Sequence, residues 1–510
     1  MKFTELRTNK LASTQLGEIT EGIAYNFYDL KEEHLGEKER EFASFLESLI
    51  QRRTTFSELE KFDGLPENFR QIFQEEIISV IEINRLLERM PSRGVFVKLL
   101  ESLIRLISKV DFISNKGLFA ETVLHDSIGL KKLAFFSMED ELEELMVNSL
   151  EEIFVFHKEY GMCKTNIVLD EKGFSNIIQR VAASTGKGFN QQSPLLDSRL
   201  PDGSRINATM DNVSPRAISL TIRKFSPVPI TILDLIKKDV ITSEAASFLW
   251  MMTDGFGVNP KNILVTGSTA SGKTTMLNVL TNFVRLNERI ITIEDTLELS
   301  LLDRENWVAL EAKHYKEEEI TMNNLLKNSL RMRPDRIIVG EVRGNEAITL
   351  FTAMDNGHSG TMGTIHANNA RETITKLQER PFSVPTALLP LVELIVVLKR
   401  TFSKEKGIER KVIQITEVSR MENKVLLANV FELNNQMSLV RTDVPSYIVE
   451  KFAEQNSITK NELKEEMRIR QLVLEWMLQN NVSKPREVLE IIQSYYFDSK
   501  KVLSMIEQGQ

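Results

Sequence analysis

Cysteine is almost absent from this chain, which carries one such residue, Cys163, among its 510 residues. A single cysteine excludes an internal disulfide framework and any zinc site built from four cysteines, so the composition suits a reducing cytosol. Glycine and proline are also scarce, with 23 and 14 residues, which is about 7% of the chain against an average of about 12%. This scarcity excludes collagen-like and low-complexity chains and indicates a well-folded, helix-rich protein.

Long apolar runs and an excess of positive charge are missing as well. The most apolar stretch, residues 384–398, is interrupted by Pro385, Pro390 and Glu393 and is shorter than the ~20 apolar residues that a membrane-spanning helix needs. The N-terminal sequence MKFTELRTNKLAS lacks the apolar core of a signal peptide. We therefore expect a cytoplasmic protein whose contact with a membrane is peripheral. The net charge of -8 disfavours a general nucleic-acid binder.

Sequence patterns divide the chain into four predicted regions. Residues 1–137 are expected to form a helical domain, because apolar residues recur at helical spacing from Glu37 to about Leu133. Residues 138–226 are expected to form a small α+β domain, followed by a linker that contains Pro227 and Pro229. From 227 to 420 strands and helices alternate, which predicts an α/β domain with a mainly parallel sheet covered by helices on both faces. Residues 421–510 are expected to add short strands and a helical tail.

The segment GSTASGKT at 267–274 matches the pattern G-x-x-x-x-G-K-[ST]. It follows an apolar strand and opens a helix, an order that places backbone N–H groups and a helix N-terminus around an anion. In this pattern Lys273 neutralises the β- and γ-phosphates of a nucleotide and the Thr274 hydroxyl ligates Mg²⁺. The predicted phosphate-binding residues are Gly267, Ser268, Thr269, Ala270, Ser271, Gly272, Lys273, Thr274 and Thr275.

Acidic residues follow two further predicted strands. The strand RIIVGE ends at Glu341, which could hold a metal-bound water or sense the γ-phosphate. The strand ITIED leads through Glu294 and Asp295 to a third carboxylate, Glu298. Nucleotides bind at the carboxyl ends of the strands in such sheets, so a carboxylate in this position can orient or deprotonate the attacking water.

Two of the six histidines, His358 and His366, lie eight residues apart in NGHSGTMGTIHAN. A metal-binding pair is disfavoured, because the chain has one cysteine and this segment contains no acidic third ligand. We interpret the two histidines as groups near the γ-phosphate that switch between neutral and cationic forms.

Taken together, the GKT loop and the segments IEDTLEL, RPDRIIVGEVRG and GHSGTMGTIHAN resemble the type II/type IV secretion ATPase superfamily. The resemblance extends from about Glu139 to the segment RKVIQITEV at 410–418. It implies a RecA-like P-loop motor domain that hydrolyses ATP with Mg²⁺. It also implies a homo-hexamer that acts with an integral-membrane platform protein and pilin-like subunits. The chain lacks the four-cysteine insertion of many bacterial members and has a helical tail. In both respects it is more similar to archaeal members.

The resemblance implies roles for individual residues. Glu298 would activate the attacking water, and Glu341 would lie on the metal side with Thr274, although the two glutamates could exchange roles. His366 would belong to the histidine segment of the catalytic site.

Arginines from the smaller domain and from a neighbouring subunit reach the phosphates in this superfamily. The residues of this chain that the resemblance assigns to them are Arg205, Arg223 and, in the motor domain, Arg331. A guanidinium offers a planar fork of donors to phosphate oxygens as charge develops. Lys327 stands where some bacterial relatives carry a second arginine.

Several functions are compatible with a phosphate loop. A hexameric motor that assembles a type IV pilus-like filament or secretes pilin-like subunits accounts for all the motifs, and an archaellum motor is the alternative. A nucleic-acid translocase is disfavoured by the net charge and by the lack of an aromatic and basic strand pattern. A small-molecule kinase would need an acceptor pocket that the C-terminal region does not suggest. A non-hydrolysing scaffold is disfavoured because the acidic and histidine segments are complete.

Overall fold

A computed structural model describes the strands and helices of most of the chain. The described ranges are 3–8, 12–19, 23–30, 36–50, 101–108, 141–158, 160–185, 188–199, 203–224, 229–314, 319–403, 407–422 and 424–508, with isolated positions between 65 and 139. The chain divides into two compact units, Met1–Ser226 and Pro227–Gln510. Of the two linker prolines predicted from the sequence, Pro227 lies outside the described residues.

The first unit contains a nine-stranded sheet in the spatial order β1-β2-β3-β6-β5-β4-β9-β8-β7. Neighbouring strands are antiparallel, except β3 and β6, which are parallel. The described helices with assigned bounds in this unit are Glu37–Ile50 and Glu171–Thr185. The strands are Phe3–Thr8 (β1), Ala12–Ile19 (β2), Ile23–Leu30 (β3), Leu142–Val147 (β4), Ile153–His157 (β5), Gly161–Thr165 (β6), Leu195–Arg199 (β7), Arg205–Thr209 (β8) and Ser219–Arg223 (β9).

One face of this sheet is covered by the helix Glu171–Thr185. The helix buries apolar residues at spacings of three and four, including Phe174, Ile178 and Val181, as an amphipathic helix does. On the sheet, alternate residues of β5 such as Ile153 and Val155 are buried in the same cluster. The apolar face of the helix and the apolar face of the sheet pack together and form the core of the small α+β region.

The first thirty residues differ from the predicted helical domain, because they form the strands β1, β2 and β3. β3 joins the small α+β region through its parallel pairing with β6, in which Asn26 lies opposite Cys163. In β3, β-branched and aromatic residues recur at every second position, at Ile23, Tyr25 and Phe27, which favours a strand. The helical pattern begins only at Glu37, where the first helix starts. Most of 51–137 lies outside the described residues, so the helical prediction stays a prediction there.

The second unit contains a nine-stranded sheet in the order β12-β11-β15-β16-β10-β17-β18-β19-β20. In this spatial order the first six strands, which end with β17, are parallel to one another. The last three strands, β18, β19 and β20, pair antiparallel. A separate two-stranded ladder joins β13 and β14. The strands are Ile263–Gly267 (β10), Ile290–Glu294 (β11), Trp307–Glu311 (β12), Lys313–His314 (β13), Glu319–Ile320 (β14), Arg336–Val342 (β15), Met362–Ile365 (β16), Leu394–Ser403 (β17), Gly407–Met421 (β18), Lys424–Leu433 (β19) and Leu439–Arg441 (β20).

Helices cover both faces of this sheet, as the alternation of strands and helices predicts. Neighbouring residues of β10 point into different clusters, with Ile263 and Val265 in one and Leu264 in the other. Among the described residues, no helix is both long enough and apolar enough to cross a bilayer. The helices are Ile232–Lys237, Ser243–Asp254, Lys273–Thr281, Met322–Ser329, Glu346–Asp355, Ala370–Gln378, Tyr447–Gln455, Lys460–Gln479, Pro485–Phe497 and Ser499–Gln508, with 3₁₀ turns at Gly255–Gly257 and Leu389–Leu391.

The strands after residue 420 continue the sheet of the second unit. The boundary predicted between 420 and 421 falls at the end of β18, which pairs with β19 from Met421↔Lys424 onward. The prediction followed the alternation of strands and helices, and that alternation stops where the antiparallel strands begin. The hydrophobic core continues through these strands and the C-terminal helices, since Phe431 and Leu474 share one cluster with Ile263. They therefore complete the α/β unit.

A buried arginine fixes the C-terminal helices to this core. The side chain of Arg470 is 2% exposed, and its guanidinium donates to Asp254 at 3.0 Å and to Glu466 at 2.7 Å. It also lies 5.2 Å from the centre of the Trp250 ring. Removing one partner of such a buried pair costs about 3–5 kcal/mol. The helix Lys460–Gln479 is therefore an integral part of the unit.

Candidate active site

The loop that follows β10 carries the predicted phosphate-binding residues. A Cβ atom at Gly267 would lie 2.4 Å from Oγ of Ser271 and 2.5 Å from the carbonyl oxygen of Leu398. Ala270 and Gly272 have positive φ angles of 58° and 93°, so the chain turns back through left-handed conformations. Close packing therefore requires glycine at 267, and the turn favours glycine at 272.

The helix after this loop, Lys273–Thr281, presents its N-terminus without a side-chain cap, because its N-cap residue is Gly272. The first N–H groups of an α-helix have no acceptor within the helix and carry the positive end of its dipole. Oγ of Ser271 is buried and has no hydrogen-bond partner among the described residues. These donors form a cradle that fits the phosphates of a nucleotide.

Two cationic side chains contact the backbone of the loop. Nζ of Lys273 donates to the carbonyl oxygen of Ser268 at 3.1 Å, and Nε of Arg410 donates to the carbonyl oxygen of Ala270 at 3.0 Å. Arg410 also lies opposite Arg400 in the register of β17 and β18, although like charges in that position destabilise a sheet. The sequence analysis did not identify Arg410 as a candidate site residue. The feature that could have indicated it is its position at the start of the segment RKVIQITEV.

Glu294 ends β11, the strand that pairs with β15. Its side chain is 2% exposed, and its Oε1 accepts the backbone N–H groups of Glu298 at 2.8 Å and Leu299 at 3.0 Å. A buried carboxylate that accepts two backbone N–H groups fixes the conformation of the chain that donates them. Glu294 therefore shapes the turn that carries Glu298, whose side chain is exposed.

Glu341 lies near the end of β15 and is 27% exposed. Arg343 donates to its Oε2 through Nε at 2.8 Å and through Nη2 at 2.5 Å, and to Oδ2 of Asp295 through Nη1 at 3.2 Å. The arginine thus joins the two acidic segments that follow β11 and β15. Arg343 lies in the segment GEVRG, and the sequence pattern alone assigns it no role.

The two histidines lie at opposite ends of β16. His366 follows the carboxyl end of this strand, on the same edge as the phosphate loop, and it is exposed. His358 precedes the strand and accepts the hydroxyl of Thr361 through its carbonyl oxygen. The predicted position of His358 near the γ-phosphate is therefore wrong, because a strand of the sheet separates it from that edge. Among the described residues, no group of three or more His, Cys, Asp or Glu side chains could hold a metal ion.

The two arginines predicted in the small domain are neighbours in its sheet. Arg205 on β8 lies directly opposite Arg223 on β9, and on its other side opposite Arg199 on β7. Arg205 donates to Asp197 at 3.0 Å, and Arg223 lies 3.6 Å from Glu144. Like charges opposite each other destabilise a sheet, so this row of three arginines marks a surface suited to an anion. Sequence reasoning did not identify Arg199, because the register of the strands brings it into the row.

Arg331 follows the helix Met322–Ser329 and precedes β15. It therefore lies at the amino end of the sheet, whereas the phosphate loop follows the carboxyl end. The seven residues of β15 span roughly 20 Å at about 3.3 Å per residue. Within one chain, the structure does not bring Arg331 to the phosphate loop.

The model of the family described as type II/IV secretion system protein matches residues 133–474. The chain belongs to this family. The matched range contains the phosphate loop, the two acidic segments, the histidine segment and the row of arginines.

The chain is also similar to individual proteins. The chain is 48% identical over 229 residues to an uncharacterised protein of Methanocaldococcus jannaschii, a match that covers 44% of this chain and 32% of that relative. The chain thus spans about a third of this relative's length. It is 30% identical over 291 residues to the probable conjugal transfer protein TrbB of Sinorhizobium fredii, covering 55% of this chain and 84% of TrbB. Among solved structures, the VirB11 ATPase of the Brucella suis type IV secretion system is 26% identical, with 57% and 93% of the two chains covered and a TM-score of 0.29.

Proposed function

We propose that this secretion-family chain is an ATP-hydrolysing motor that works as a homo-hexamer at the cytoplasmic face of the cell membrane. Its partners would be an integral-membrane platform protein and pilin-like subunits of the same machine. One observation carries the proposal: the phosphate loop after β10, Glu294 at the end of β11 and Glu341 near the end of β15 occupy the same edge of one parallel sheet. This edge is where α/β sheets bind nucleotides.

The residues at this edge have different proposed roles in ATP hydrolysis. The loop N–H groups and Lys273 bind the β- and γ-phosphates of ATP. Thr274 and Glu341 are the residues that would hold Mg²⁺, which supplies charge neutralisation and orients the phosphates. Glu298, exposed at the end of its turn, orients or deprotonates the attacking water, with the roles of Glu298 and Glu341 open to exchange. His366 stands at the same edge and would respond to the γ-phosphate.

The arginines enter this proposal as donors to the outer oxygens of the γ-phosphate. Lys273 acts from the loop side, so charge that develops on the far side requires a donor from elsewhere. Arg205 and Arg223 form a ready pair on the small-domain sheet, and Arg331 lies too far along the sheet to serve its own loop. We therefore assign Arg331 to a site shared with a neighbouring subunit, and we propose that Arg205 and Arg223 act from the small domain of the same or a neighbouring subunit.

The type of machine to which this motor belongs is a separate part of the proposal. Assembly of a type IV pilus-like filament is our first proposal, and an archaellum motor is the alternative. The similarity to a conjugal transfer protein supports a secretion-type machine in general. Genes for a prepilin or an archaellin beside this one would separate the first two possibilities.

An ATPase assay on the full chain tests the activity. Lys273→Ala should abolish turnover, because loss of a preorganised group aimed at developing charge costs about 3 kcal/mol or more. The matched control is Lys484→Ala, since Lys484 is 77% exposed and pairs with one glutamate. Wild-type turnover in Lys273→Ala would exclude the proposed site.

The same assay with nucleic acid tests the translocase alternative. Because the chain has a net charge of -8, we expect single-stranded DNA to leave the turnover of the wild-type chain unchanged. Sedimentation with a non-hydrolysable ATP analogue and Mg²⁺ should give a hexameric ring. Strong stimulation by DNA would favour the translocase over the filament motor.

A further inference from the structure

Arg343 is placed between the two acidic segments by a rigid loop. Its backbone N–H and that of Gly344 both donate to Oε1 of Glu346, at 2.5 Å and 2.8 Å. Glu346 is 6% exposed and is the first residue of the helix Glu346–Asp355. The buried carboxylate of Glu346 therefore holds the backbone of Arg343. This fixes the point from which the Arg343 side chain extends.

The guanidinium of Arg343 divides its donors between two carboxylates. Nε and Nη2 both donate to a single oxygen of Glu341, Oε2, and Nη1 donates to Asp295. Glu341 and Asp295 belong to neighbouring parts of the same sheet edge, so without a cation between them their charges would repel. Arg343 supplies that positive charge and fixes the positions of both side chains.

The exposure of this ion-pair group sets its strength. Arg343 is 60% exposed, Asp295 is 36% exposed and Glu341 is 27% exposed. Ion pairs in contact with water are weak and exchange readily, in contrast to the buried pair of Arg470 and Asp254. A divalent cation that binds the same oxygens can therefore displace the guanidinium.

We propose that Arg343 is a positioning residue that holds Glu341 and Asp295 while the site is free of metal, and that a divalent cation replaces it at Glu341. This inference rests on the proposed function, in which Glu341 is the carboxylate on the metal side. The metal and Arg343 compete for Oε2 of Glu341, so the apparent affinity for the cation is lower than the carboxylates alone would give.

Titration of the full-length protein with Mn²⁺ in the presence of a non-hydrolysable ATP analogue, followed by electron paramagnetic resonance, measures this competition directly. Arg343→Gln should bind Mn²⁺ about two- to fivefold more tightly than the wild-type chain, which corresponds to about 0.4–1 kcal/mol. Arg343→Lys keeps the charge but loses the two-pronged contact, so its affinity should lie between the two. Introducing Glu341→Gln together with Arg343→Gln should cancel the gain.

The matched control is Arg486→Gln, because Arg486 is 72% exposed and also contacts two carboxylates, Asp303 and Glu490. This variant should bind Mn²⁺ like the wild-type chain. Equal or weaker Mn²⁺ binding by Arg343→Gln, in a variant that melts at the wild-type temperature, would overturn the inference.

The Lys273→Ala assay separates a failure of this inference from a failure of the proposed function. A chain with Lys273-dependent turnover but unchanged Mn²⁺ affinity in Arg343→Gln would refute the competition alone. In an active chain, the Mg²⁺ concentration for half-maximal turnover of Arg343→Gln should fall by the same factor as the Mn²⁺ dissociation constant.

Discussion

Gly340 on β15 leaves the space that the side chain of Glu294 occupies on the neighbouring strand β11. A Cβ atom at 340 would lie 2.8 Å from Cγ of Glu294, which is closer than side-chain carbons approach. Glu294 in turn accepts the backbone N–H groups of Glu298 and Leu299. A glycine on one strand therefore permits a buried carboxylate on the next, and that carboxylate positions the turn with the proposed water-activating residue.

The replacement Gly340→Ala tests this relationship. The added methyl group should push Glu294 from its place and lower the free energy of unfolding by about 1–3 kcal/mol, as overpacking does. It should also reduce ATP turnover, because the turn with Glu298 would move. Chemical denaturation and the ATPase assay measure the two effects. Gly188→Ala is the control, since no atom lies within 4 Å of its added Cβ; equal effects of both variants would contradict the prediction.

Glu294 and Glu298 should behave differently when each is replaced by alanine. Glu294→Ala leaves the buried N–H group of Leu299 and the partly buried N–H group of Glu298 without their acceptor, and it should destabilise the fold by about 2 kcal/mol. Glu298→Ala alters an exposed side chain and should change stability by less than about 0.5 kcal/mol, while ATP turnover is lost. Thermal melts and turnover assays on the same preparations separate the two. A stable Glu294→Ala protein with normal turnover would refute the positioning role.

The turn after β10 and the helix that follows it were predictable, because they are determined by a local pattern of consecutive residues. The two glutamates of the first acidic segment were not distinguishable in this way. Glu294 and Glu298 carry the same functional group, and only burial at the end of β11 makes one a structural acceptor. The alternation of strands and helices also predicted the parallel sheet, but the antiparallel strands that extend it have no helices between them.

Residues brought together by register were missed for a related reason. Arg199, Arg205 and Arg223 form one row because two hairpin connections align three strands, and the sequence does not specify that alignment. For His358 and His366 the error was the reverse, because the prediction placed together two residues that the structure separates. A helical or loop connection of eight residues could keep them close, but the intervening β16 carries them to opposite edges.

The thiol of Cys163 should react only when the first unit opens. Burial raises its pKa to about 12, and the thiolate is the reactive form. At pH 8 the folded chain should therefore react with a thiol reagent about 10³-fold more slowly than the unfolded chain. The unfolded thiol loses its proton above pH ~8.5 while the folded thiol keeps it. This group therefore contributes stability below that pH that is progressively lost as the pH rises towards 12.

The chain has one cysteine, so labelling with a chromogenic disulfide reagent reports on this residue alone. Cys163→Ala should remove both the labelling and the added loss of stability between pH 8 and pH 10. Rapid stoichiometric labelling of the native protein at pH 8 would contradict the prediction.

The final prediction is that hydrolysis depends on arginines from a different domain or subunit than the one that holds the phosphate loop. Arg223 is 56% exposed, and its contact to Glu144 is 3.6 Å long, so Arg223→Ala should keep its fold within about 1 kcal/mol. An arginine finger contributes roughly 10³ or more in rate in other phosphate-loop enzymes. Arg223→Ala should thus bind ATP and Mg²⁺ but hydrolyse slowly, and Arg205→Ala should behave likewise.

Mixing Arg223→Ala subunits with Lys273→Ala subunits decides whether the finger acts across a subunit boundary. If it does, some interfaces of a mixed ring combine the intact loop of one variant with the intact arginine of the other. In randomly mixed rings about a quarter of the sites would be complete, and turnover should return in proportion. Lys273→Ala mixed with Glu341→Gln is the control, because both changes damage the loop side of the site and no interface can combine two intact halves. If mixed rings form and turnover does not recover, the arginine acts within its own chain or supports the small domain alone.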